Sequence, residues 1–454
     1  MLSKHFLIKG KTADKLYDFV KGFPIIDYHN HLSLDEINNN KRYTDIYDLW
    51  IKPDPYKHRV MRMCGVDERY ITGNACNYEK FKAWCEIFPN LIGNQIYIWS
   101  EMELEKIFNI KETPNKENAE WLYDNANNYL KDNIITPVSL MEIFNVEISA
   151  PCTSVLDDLS VFKTTSVFVP SLRGDDIVNV TPKFIQSLEK VMARRINSLA
   201  DYEECLKQRL DELEEVGLKF VDHALDNGFI YYQDDGENAY RFKEMLSNRI
   251  CEKDIKRLSS YILLFLGKEY SKRNLVLQLH IGAQRKTSTK LRNIAGPTGG
   301  FAGIGNSVNV ESLVEFLDSL DSNECGIPKT VLFTLNPSDN ALISALSGSY
   351  SKSGVKGLIT QGPAWWWCDN QLGIVDVLEN TTVFGLLSNF IGMTTDSRSF
   401  LSYPRHEYFR RILCCILGEW VENGEYPEDY ELLGNMVKDI CYNNAIEYFL
   451  GELK

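Results

Sequence analysis

The chain carries two histidines, His29 and His31, at a spacing that predicts metal chemistry. They follow a short apolar run that begins at Pro24 and is typical of a buried strand. Two imidazoles that converge at the end of a strand supply half of a divalent-metal site. Because there are only 7 histidines among 454 residues, a chance pair at this spacing is uncommon. We therefore predict that both bind a metal ion; the alternative is two unrelated histidines.

A carboxylate that would complete this site lies near the end of the chain. Asp396 and Arg398 come directly after residues 390–394, a predicted strand. With His29 and His31, Asp396 would form a nitrogen and carboxylate site that leaves positions open for water or substrate. Such a centre either generates hydroxide for hydrolysis or polarises a hydroxyl or carbonyl group for proton transfer. The spacing does not choose between these reactions, and the alternative role of Asp396 is to cap a helix.

Other polar residues also follow predicted strands, where the functional groups of barrel enzymes lie. Arg173, His223 and His280 each lie at a strand end or within three residues of one. Their alternative interpretations are a solvated arginine, an ion pair of His223 with its acidic neighbour, and a core histidine. Trp365 and Trp366 follow a polar, turn-like segment and are predicted to wall a substrate pocket; the alternative is that they are core residues.

The predicted strands indicate how these residues are brought together. The strands are the run that begins at Pro24 and residues 146–150, 166–170, 218–222, 275–280, 329–335, 355–359 and 390–394. The helices between them require a parallel sheet, and eight strand–helix units can close into a barrel. We predict an α/β fold, a (β/α)8 TIM barrel; the alternative is a doubly wound open sheet.

The stretch between the first and second strands shows helical periodicity and no strand pattern. Apolar residues recur at three- and four-residue spacing in residues 79–88, 101–108 and 117–130. We therefore divide the chain into a lead-in with the first strand (1–32), a helical insertion (33–145) and the rest of the barrel with C-terminal helices (146–454). Further helices are predicted at residues 184–196, 240–266, 310–320 and 427–450.

Composition and charge exclude several classes of partner. The net charge of −14 argues against nucleic acid and against an anionic membrane surface. The N-terminus lacks the apolar core of a signal peptide, and no run of 18 apolar residues predicts a membrane span. The 11 cysteines are scattered without a Cys-x-x-Cys pair, which is typical of reduced thiols in a cytoplasm. We expect a cytoplasmic protein that acts on a small molecule; a homo-oligomer is compatible with the sequence.

Beyond these patterns, the chain resembles the uronate isomerases, a family of the amidohydrolase superfamily. The similarity covers nearly the whole length and is strongest in residues 395–411, which are close to the family's signature. The other matching segments are residues 27–31, 61–62, 71–73, 278–283, 335–337 and 361–366. The resemblance implies a barrel of the metal-dependent hydrolase type with a helical insertion after the first strand. It also implies interconversion of D-glucuronate with D-fructuronate, and of D-galacturonate with D-tagaturonate, through an enediol.

The resemblance implies roles for individual residues. His29, His31 and Asp396 would hold one divalent metal ion, with zinc as the expected ion and manganese or iron as the alternatives. Asp396 would also be the base, and Tyr56 would shuttle protons. The arginines would hold the carboxylate and hydroxyls of the hexuronate. The predicted substrate-binding residues are Arg173, Arg398, His280, His223, Trp365 and Trp366.

The chain departs from the family pattern near several of these residues. The departures are Pro55, Val155 with Leu156, residues 173–175 and residues 297–302. They leave two alternative functions open. One is a metal-dependent hydrolase of the same superfamily, and the other is a weakly active paralogue that binds a sugar acid. The preserved segment 395–411 favours the isomerase over the hydrolase.

Overall fold

The computed structural model describes residues 5–450, which form a curled parallel sheet surrounded by helices. The strands are β1 (Ile25–Asn30), β2 (Val146–Thr153), β3 (Ser171–Arg173), β4 (Phe220–Leu225), β5 (Val276–Ile281), β6 (Ala283–Gln284), β7 (Gly303–Ile304), β8 (Thr330–Thr334) and β9 (Ile359–Gln361). Within the described residues, seven strands pair in parallel in the order β1-β2-β3-β4-β5-β8-β9, whereas β6 and β7 form a separate antiparallel hairpin. This order confirms the predicted α/β barrel class and not a doubly wound sheet, because sequential strands are neighbours throughout.

Helices connect the strands. Those before β2 are α1 (Gly10–Val20), α2 (Leu34–Asn38), α3 (Pro55–Met63), α4 (Asn77–Ile87), α5 (Gln95–Phe108), α6 (Ala119–Asp132) and α7 (Pro137–Ile143). Those after β2 are α8 (Asp175–Val178), α9 (Pro182–Met192), α10 (Leu199–Glu215), α11 (Asn238–Leu246), α12 (Glu252–Lys272), α13 (Thr289–Ala295), α14 (Val310–Asp321), α15 (Asn340–Ser347), α16 (Gln371–Phe384), α17 (Pro404–Glu422), α18 (Tyr430–Lys438) and α19 (Asn444–Leu450). Across residues 5–450, no helix combines the length and the apolar character that crossing a bilayer requires.

The structure confirms that the stretch between β1 and β2 is helical. It contains the helices α2–α7 and, across the described residues 31–145, no strand. The division of the chain into three domains stays a prediction. The predicted helix 240–266 is two helices, α11 and α12, because Asn248 between them has a left-handed backbone with φ +54°. The predicted C-terminal helix 427–450 is interrupted by a widened turn at Asp439–Asn443.

Two predicted strands lie at different positions in the structure. The predicted strand 166–170 contributes only a bridge between Phe168 and Ser149, and the regular ladder begins at β3, after Pro170. Proline has no N–H to donate, which explains why the ladder resumes only beyond it. The predicted strand 355–359 begins later, at β9, because Gly357 has φ +57° and interrupts the extended backbone.

The prediction of an eighth strand at residues 390–394 was wrong, because this segment forms no hydrogen-bonded ladder with a neighbouring strand. It is instead bound to β1 through the buried carboxylate of Asp27. That carboxylate accepts hydrogen bonds from the Thr395 N–H (2.6 Å) and from the hydroxyls of Thr394 (3.1 Å) and Thr395 (2.8 Å). It also accepts from the Asn30 amide (2.9 Å). Side-chain hydrogen bonds therefore replace the backbone ladder where this segment meets β1.

The interior of the sheet is apolar below its carboxyl ends. Ile26, Tyr28, Phe220, Val276 and Val331 are buried together there. This layer fills the barrel as branched and aromatic side chains do in other (β/α)8 folds. Polar side chains that follow it along the strands therefore lie at the carboxyl-terminal mouth of the sheet.

We expect Asp27→Asn to lower the free energy of unfolding by about 3 kcal/mol, because the amide cannot accept all the hydrogen bonds that converge on this buried position. Urea unfolding monitored by tryptophan fluorescence measures the change. The matched control is Asp18→Asn, since the Asp18 side chain is 62% exposed and its loss costs at most about 0.5 kcal/mol. A loss below about 1 kcal/mol for Asp27→Asn would contradict the role of this carboxylate.

Candidate active site and metal centre

The carboxyl ends of the strands open into a cavity. It brings together nine of the residues predicted from the sequence: His29, His31, Tyr56, Arg173, His280, Trp365, Trp366, Asp396 and Arg398. Its wall also contains Asp222 and Arg285, which the sequence did not single out as functional. The rest of the wall comes from two segments that depart from the family pattern: Pro55, Pro297, Thr298, Gly300 and Ala302. Most of the predicted site residues therefore line one cavity.

Backbone hydrogen bonds at the end of β1 bring the two histidines to Asp396. The Asp396 N–H donates to the His29 carbonyl (3.2 Å), and the His31 N–H donates to the Ser397 carbonyl (2.8 Å). His29 lies in β1, which ends at Asn30, and His31 is the first residue beyond it. The pairing of β1 with β2 is irregular between Asp27 and Asn30, so the two imidazoles converge where the regular strand ends. Their Nε2 atoms lie 3.3 Å (His29) and 3.1 Å (His31) from Asp396 Oδ1.

Asp396 is held in a constrained and ionised state. Its backbone is left-handed, with φ +46°, a conformation that costs energy for a residue other than glycine and that clusters at functional sites. Burial acts to raise the pKa of its carboxyl group, but hydrogen bonds to His29 and His31 outweigh burial and lower the pKa well below the usual value. Asp396 therefore presents a negative charge between two imidazoles at neutral pH.

The spacing of each imidazole from the Asp396 carboxylate fits a divalent metal ion. Among residues 5–450, the groups whose ligand atoms all lie within 4.8 Å of one another are His29 with His31 and Cys152, and His29 with Asp222 and His280. Nitrogen and carboxylate ligands bind zinc at about 2.0–2.2 Å, so two ligands of one ion are roughly 3.0–3.6 Å apart. The Nε2–Oδ1 distances of 3.3 and 3.1 Å at His29, His31 and Asp396 fall in this range. Zinc, manganese and iron all accept imidazole and carboxylate ligands, so zinc stays a prediction.

A carboxylate–imidazole pair forms a second polar cluster in the cavity. His280 Nδ1 lies 2.5 Å from Asp222 Oδ1, and the two side chains are buried. The opposite nitrogen, His280 Nε2, has no hydrogen-bond partner within the described chain. Burial acts to raise the pKa of Asp222, but the charges and hydrogen bonds of the neighbouring imidazoles lower it far below its usual value. Asp222 thus orients His280 and leaves Nε2 available to a substrate.

His223 is not brought to this cavity. Alternation along β4 places Asp222 towards the interior and His223 on the opposite face. There His223 Nε2 lies 2.9 Å from Tyr270 Oη, and its ring packs on Gly174, whose missing Cβ would lie 2.0 Å from it. The proposed ion pair between neighbouring residues is likewise absent, because the partner of Asp222 is His280.

Arginines make one side of the cavity electropositive. Arg173 donates from Nε to Asp175 Oδ2 (3.1 Å), and its Nη1 lies 3.4 Å from His31 Nδ1. Arg285 pairs with Asp226 (2.8 Å). Arg398 forms no ion pair with any residue in 5–450. Burial, followed by the charge of Arg173, lowers the pKa of Arg398. An unpaired, partly buried guanidinium that faces a cavity is a binding site for an anionic group.

Tyr56 lies on α3, at the rim of the cavity. Its hydroxyl is 3.0 Å both from Asp369 Oδ2 and from the carbonyl of Trp366. The Asp54 carboxylate caps the same helix by accepting the Tyr56 N–H (2.9 Å), which fixes the first turn. Burial raises the pKa of Asp369 to about 8, although the charge of Arg405 opposes the rise. No local sequence pattern marks Asp369, since it lies 313 residues from Tyr56.

Aromatic rings and the glycine-rich loop 297–302 enclose the cavity. Trp365 meets the His280 ring edge to face at 4.6 Å, and Trp366 stacks on Trp365 at 5.6 Å. The loop is held over α3 by Arg59, which donates to the carbonyls of Gly300 and Ala302 (3.2 Å each). The departures from the family pattern at Pro55 and in this loop are therefore neighbours on one wall of the cavity.

Comparisons with known proteins show which family and which known folds the chain matches. A model of the glucuronate isomerase family matches residues 1–449. The chain is 40% identical over 461 residues to a uronate isomerase of Caldicellulosiruptor bescii, with 99% of each chain covered. The crystal structure of a uronate isomerase from Thermotoga maritima has TM-score 0.92 and 29% identity, covering 99% of this chain and 100% of that chain. A glucuronate isomerase from Caulobacter crescentus shares the fold, with TM-score 0.91 and 21% identity over 100% of this chain and 98% of that chain.

We expect His29→Ala to abolish stoichiometric metal binding, since it removes one of two imidazoles that face Asp396. Inductively coupled plasma mass spectrometry of the dialysed, zinc-loaded proteins measures the metal content. His5→Ala is the matched control, because the His5 side chain is 62% exposed and lies away from the cavity. Unchanged metal content in His29→Ala would refute the assignment of the ligands.

We also expect Asp369→Asn to alter the pH dependence of stability. The pKa of Asp369 is raised to about 8, so the native state holds this proton more tightly than the unfolded state does. The wild type therefore loses stability relative to the variant as pH rises from about 4 to about 8, by on the order of 5 kcal/mol. Urea unfolding of both proteins at about pH 5 and about pH 9 measures this difference. Parallel pH profiles for the two proteins would contradict the raised pKa.

Proposed function

The chain belongs to the glucuronate isomerase family, and we propose that its cavity interconverts the aldehyde and ketone forms of hexuronates. The substrate pairs are D-glucuronate with D-fructuronate and D-galacturonate with D-tagaturonate. The observation that carries this proposal is the unpaired guanidinium of Arg398 in the same cavity as His29, His31 and Asp396. That arrangement suits a substrate that carries a carboxylate at one end and a reacting carbonyl at the other.

The arginines would bind the anionic end of the sugar acid. Arg398 forms no ion pair within the described part of the chain, whereas Arg173 is already oriented by Asp175. Forked hydrogen bonds from a guanidinium hold a carboxylate in a defined orientation. The substrate would then lie with C1 and C2 near Asp396 and His280, because these residues share the cavity with both arginines. The rings of Trp365 and Trp366 would exclude water from the reacting carbons.

The reaction requires two proton transfers at carbon and two at oxygen. Removal of the C2 proton and protonation of the aldehyde oxygen O1 give an enediol; return of a proton to C1 and loss of the O2 proton give the ketone. We assign the transfers at carbon to Asp396, which is ionised and able to accept a proton. Transfers at oxygen are assigned to Tyr56 and to His280, whose Nε2 is free and oriented by Asp222.

A bound divalent ion would supply Lewis acidity, which lowers the cost of negative charge on a sugar oxygen. His29, His31 and Asp396 would hold it. The ring of His280 lies close to this set, with its centroid 4.5 Å from that of His29. Zinc as the ion, a cytoplasmic location and self-association stay predictions.

We expect the zinc-loaded protein to convert glucuronate or galacturonate into the corresponding ketose in deuterated water. Proton and carbon NMR would detect ketose formation together with deuterium at C1 of the product or at C2 of the recovered aldose. Because the proton passes through a group that exchanges with solvent, some deuterium enters during turnover. Absence of both ketose and exchange with either hexuronate would contradict the proposed function.

Two variants complete this experiment. Asp396→Asn is expected to lose at least about a hundredfold in rate, the contribution typical of a positioned base. The control is Asp18→Asn on the exposed surface, which should keep the wild-type rate.

A further inference from the structure

A cysteine thiol lies beside the candidate metal centre. Cys152 is at the end of β2, where its backbone pairs with Ser171 of β3. Its Sγ atom lies 3.9 Å from His29 Nδ1. The ligand-capable atoms of Cys152, His29 and His31 are all within 4.8 Å of one another. The sulfur therefore contacts a residue that is proposed to hold the metal ion.

The contact is made by the ring nitrogen that does not face Asp396. His29 Nε2 is the atom 3.3 Å from Asp396 Oδ1, and Nδ1 is the atom that faces the sulfur. A neutral imidazole carries one proton and one lone pair, so Nε2 can bind a metal only when the proton is on Nδ1. Within residues 5–450, the Cys152 sulfur is the only hydrogen-bond partner found for His29 Nδ1.

We propose that Cys152 is a positioning residue for the metal centre, whose sulfur accepts the Nδ1–H of His29 and keeps the Nε2 lone pair directed at the ion. This inference rests on the metal-holding role proposed above for His29. In metal sites a carboxylate, carbonyl or water usually takes this position on a ligating histidine. Here the barrel places a sulfur there, because β2 ends beside β1 and pairs with it in parallel.

Direct ligation is the competing role, because the ligand-capable atoms of Cys152, His29 and His31 are close enough together to hold one ion. The contact on the Nδ1 side of His29 favours positioning, since a sulfur bound to the same ion as Nε2 would lie on the Nε2 side of the ring. Cobalt substitution separates the two roles.

Metal affinity and one spectrum test the proposal without any substrate. Zinc affinity is measured by competition with a chelating dye for the wild type, Cys152→Ala and Cys152→Ser. We expect Cys152→Ala to weaken zinc binding about 10- to 100-fold, the range typical of losing such a partner. Serine retains a hydrogen-bond acceptor, so Cys152→Ser should recover most of the wild-type affinity. Equal affinity of wild type and Cys152→Ala would overturn the proposal, as would equal weakening in both variants.

The spectrum of the cobalt-substituted wild type separates positioning from ligation. Absence of a near-ultraviolet thiolate-to-cobalt charge-transfer band is expected, whereas a band that disappears in Cys152→Ser would overturn the positioning role. Cys325→Ala is the matched control, because Cys325 is also partly buried but lies outside the cavity, and it should bind zinc as the wild type does. If Cys152→Ala fails to fold, Cys152→Val replaces it as the variant without an acceptor. Because these readouts need no turnover, an inactive protein would contradict the proposed function and leave this test intact.

Discussion

The carboxylate of Asp27 is the group on which the geometry of the site depends. It is fully buried, and it binds β1 to the segment that carries Asp396. His406 of α17 also reaches it, at 3.3 Å, so the same carboxylate fixes a helix that packs behind the junction. Burial acts to raise the pKa of Asp27. The hydrogen bond and charge of His406, together with the hydrogen bonds from Thr395, outweigh burial and lower this pKa. A buried charge is stable only when it is fully satisfied, and here that requirement aligns two chain segments.

The consequences of this junction extend into the cavity. Once the segment is aligned with β1, backbone hydrogen bonds place Asp396 between His29 and His31. Arginines lie beside the resulting anion. Arg173 Nη1 is 3.4 Å from His31 Nδ1, and Arg398, two residues after Asp396, has no carboxylate partner in residues 5–450. The fold thus places cationic groups next to the residues proposed to hold a metal ion. A sugar acid, which carries both a carboxylate and a carbonyl, matches this combination.

The sequence was informative where chemistry depends on local spacing. His29 and His31 are two residues apart at the end of an apolar run, so their convergence could be predicted. Asp222 and His223 show the limit of this reasoning. Alternation dictates that only one of them faces the interior, and no local pattern shows which. The register of β4 with β5 pairs Ala224 with His280, so Asp222 reaches His280 diagonally across the two strands.

The prediction of an eighth strand was wrong for a related reason. Residues 390–394 are as apolar as the true strands, but within residues 5–450 the segment is hydrogen-bonded to β1 only through the Thr394 hydroxyl, which contacts the Asp27 carboxylate 367 residues away in sequence and the His29 backbone. A pattern of apolar residues cannot distinguish a ladder from such side-chain pairing. The partners of Tyr56 and His29 were missed likewise, because Asp369 and Cys152 reach them only through tertiary contacts.

We propose that the junction between β1 and residues 394–397 builds a metal centre from His29, His31 and Asp396. Anomalous diffraction from crystals of the zinc-loaded protein, collected on both sides of the zinc absorption edge, would locate the ion. We expect a single strong peak about 2.1 Å from His29 Nε2, His31 Nε2 and an Asp396 carboxylate oxygen. A peak bound through His29 Nδ1 and Cys152, or no peak in this cavity, would rule out this metal centre.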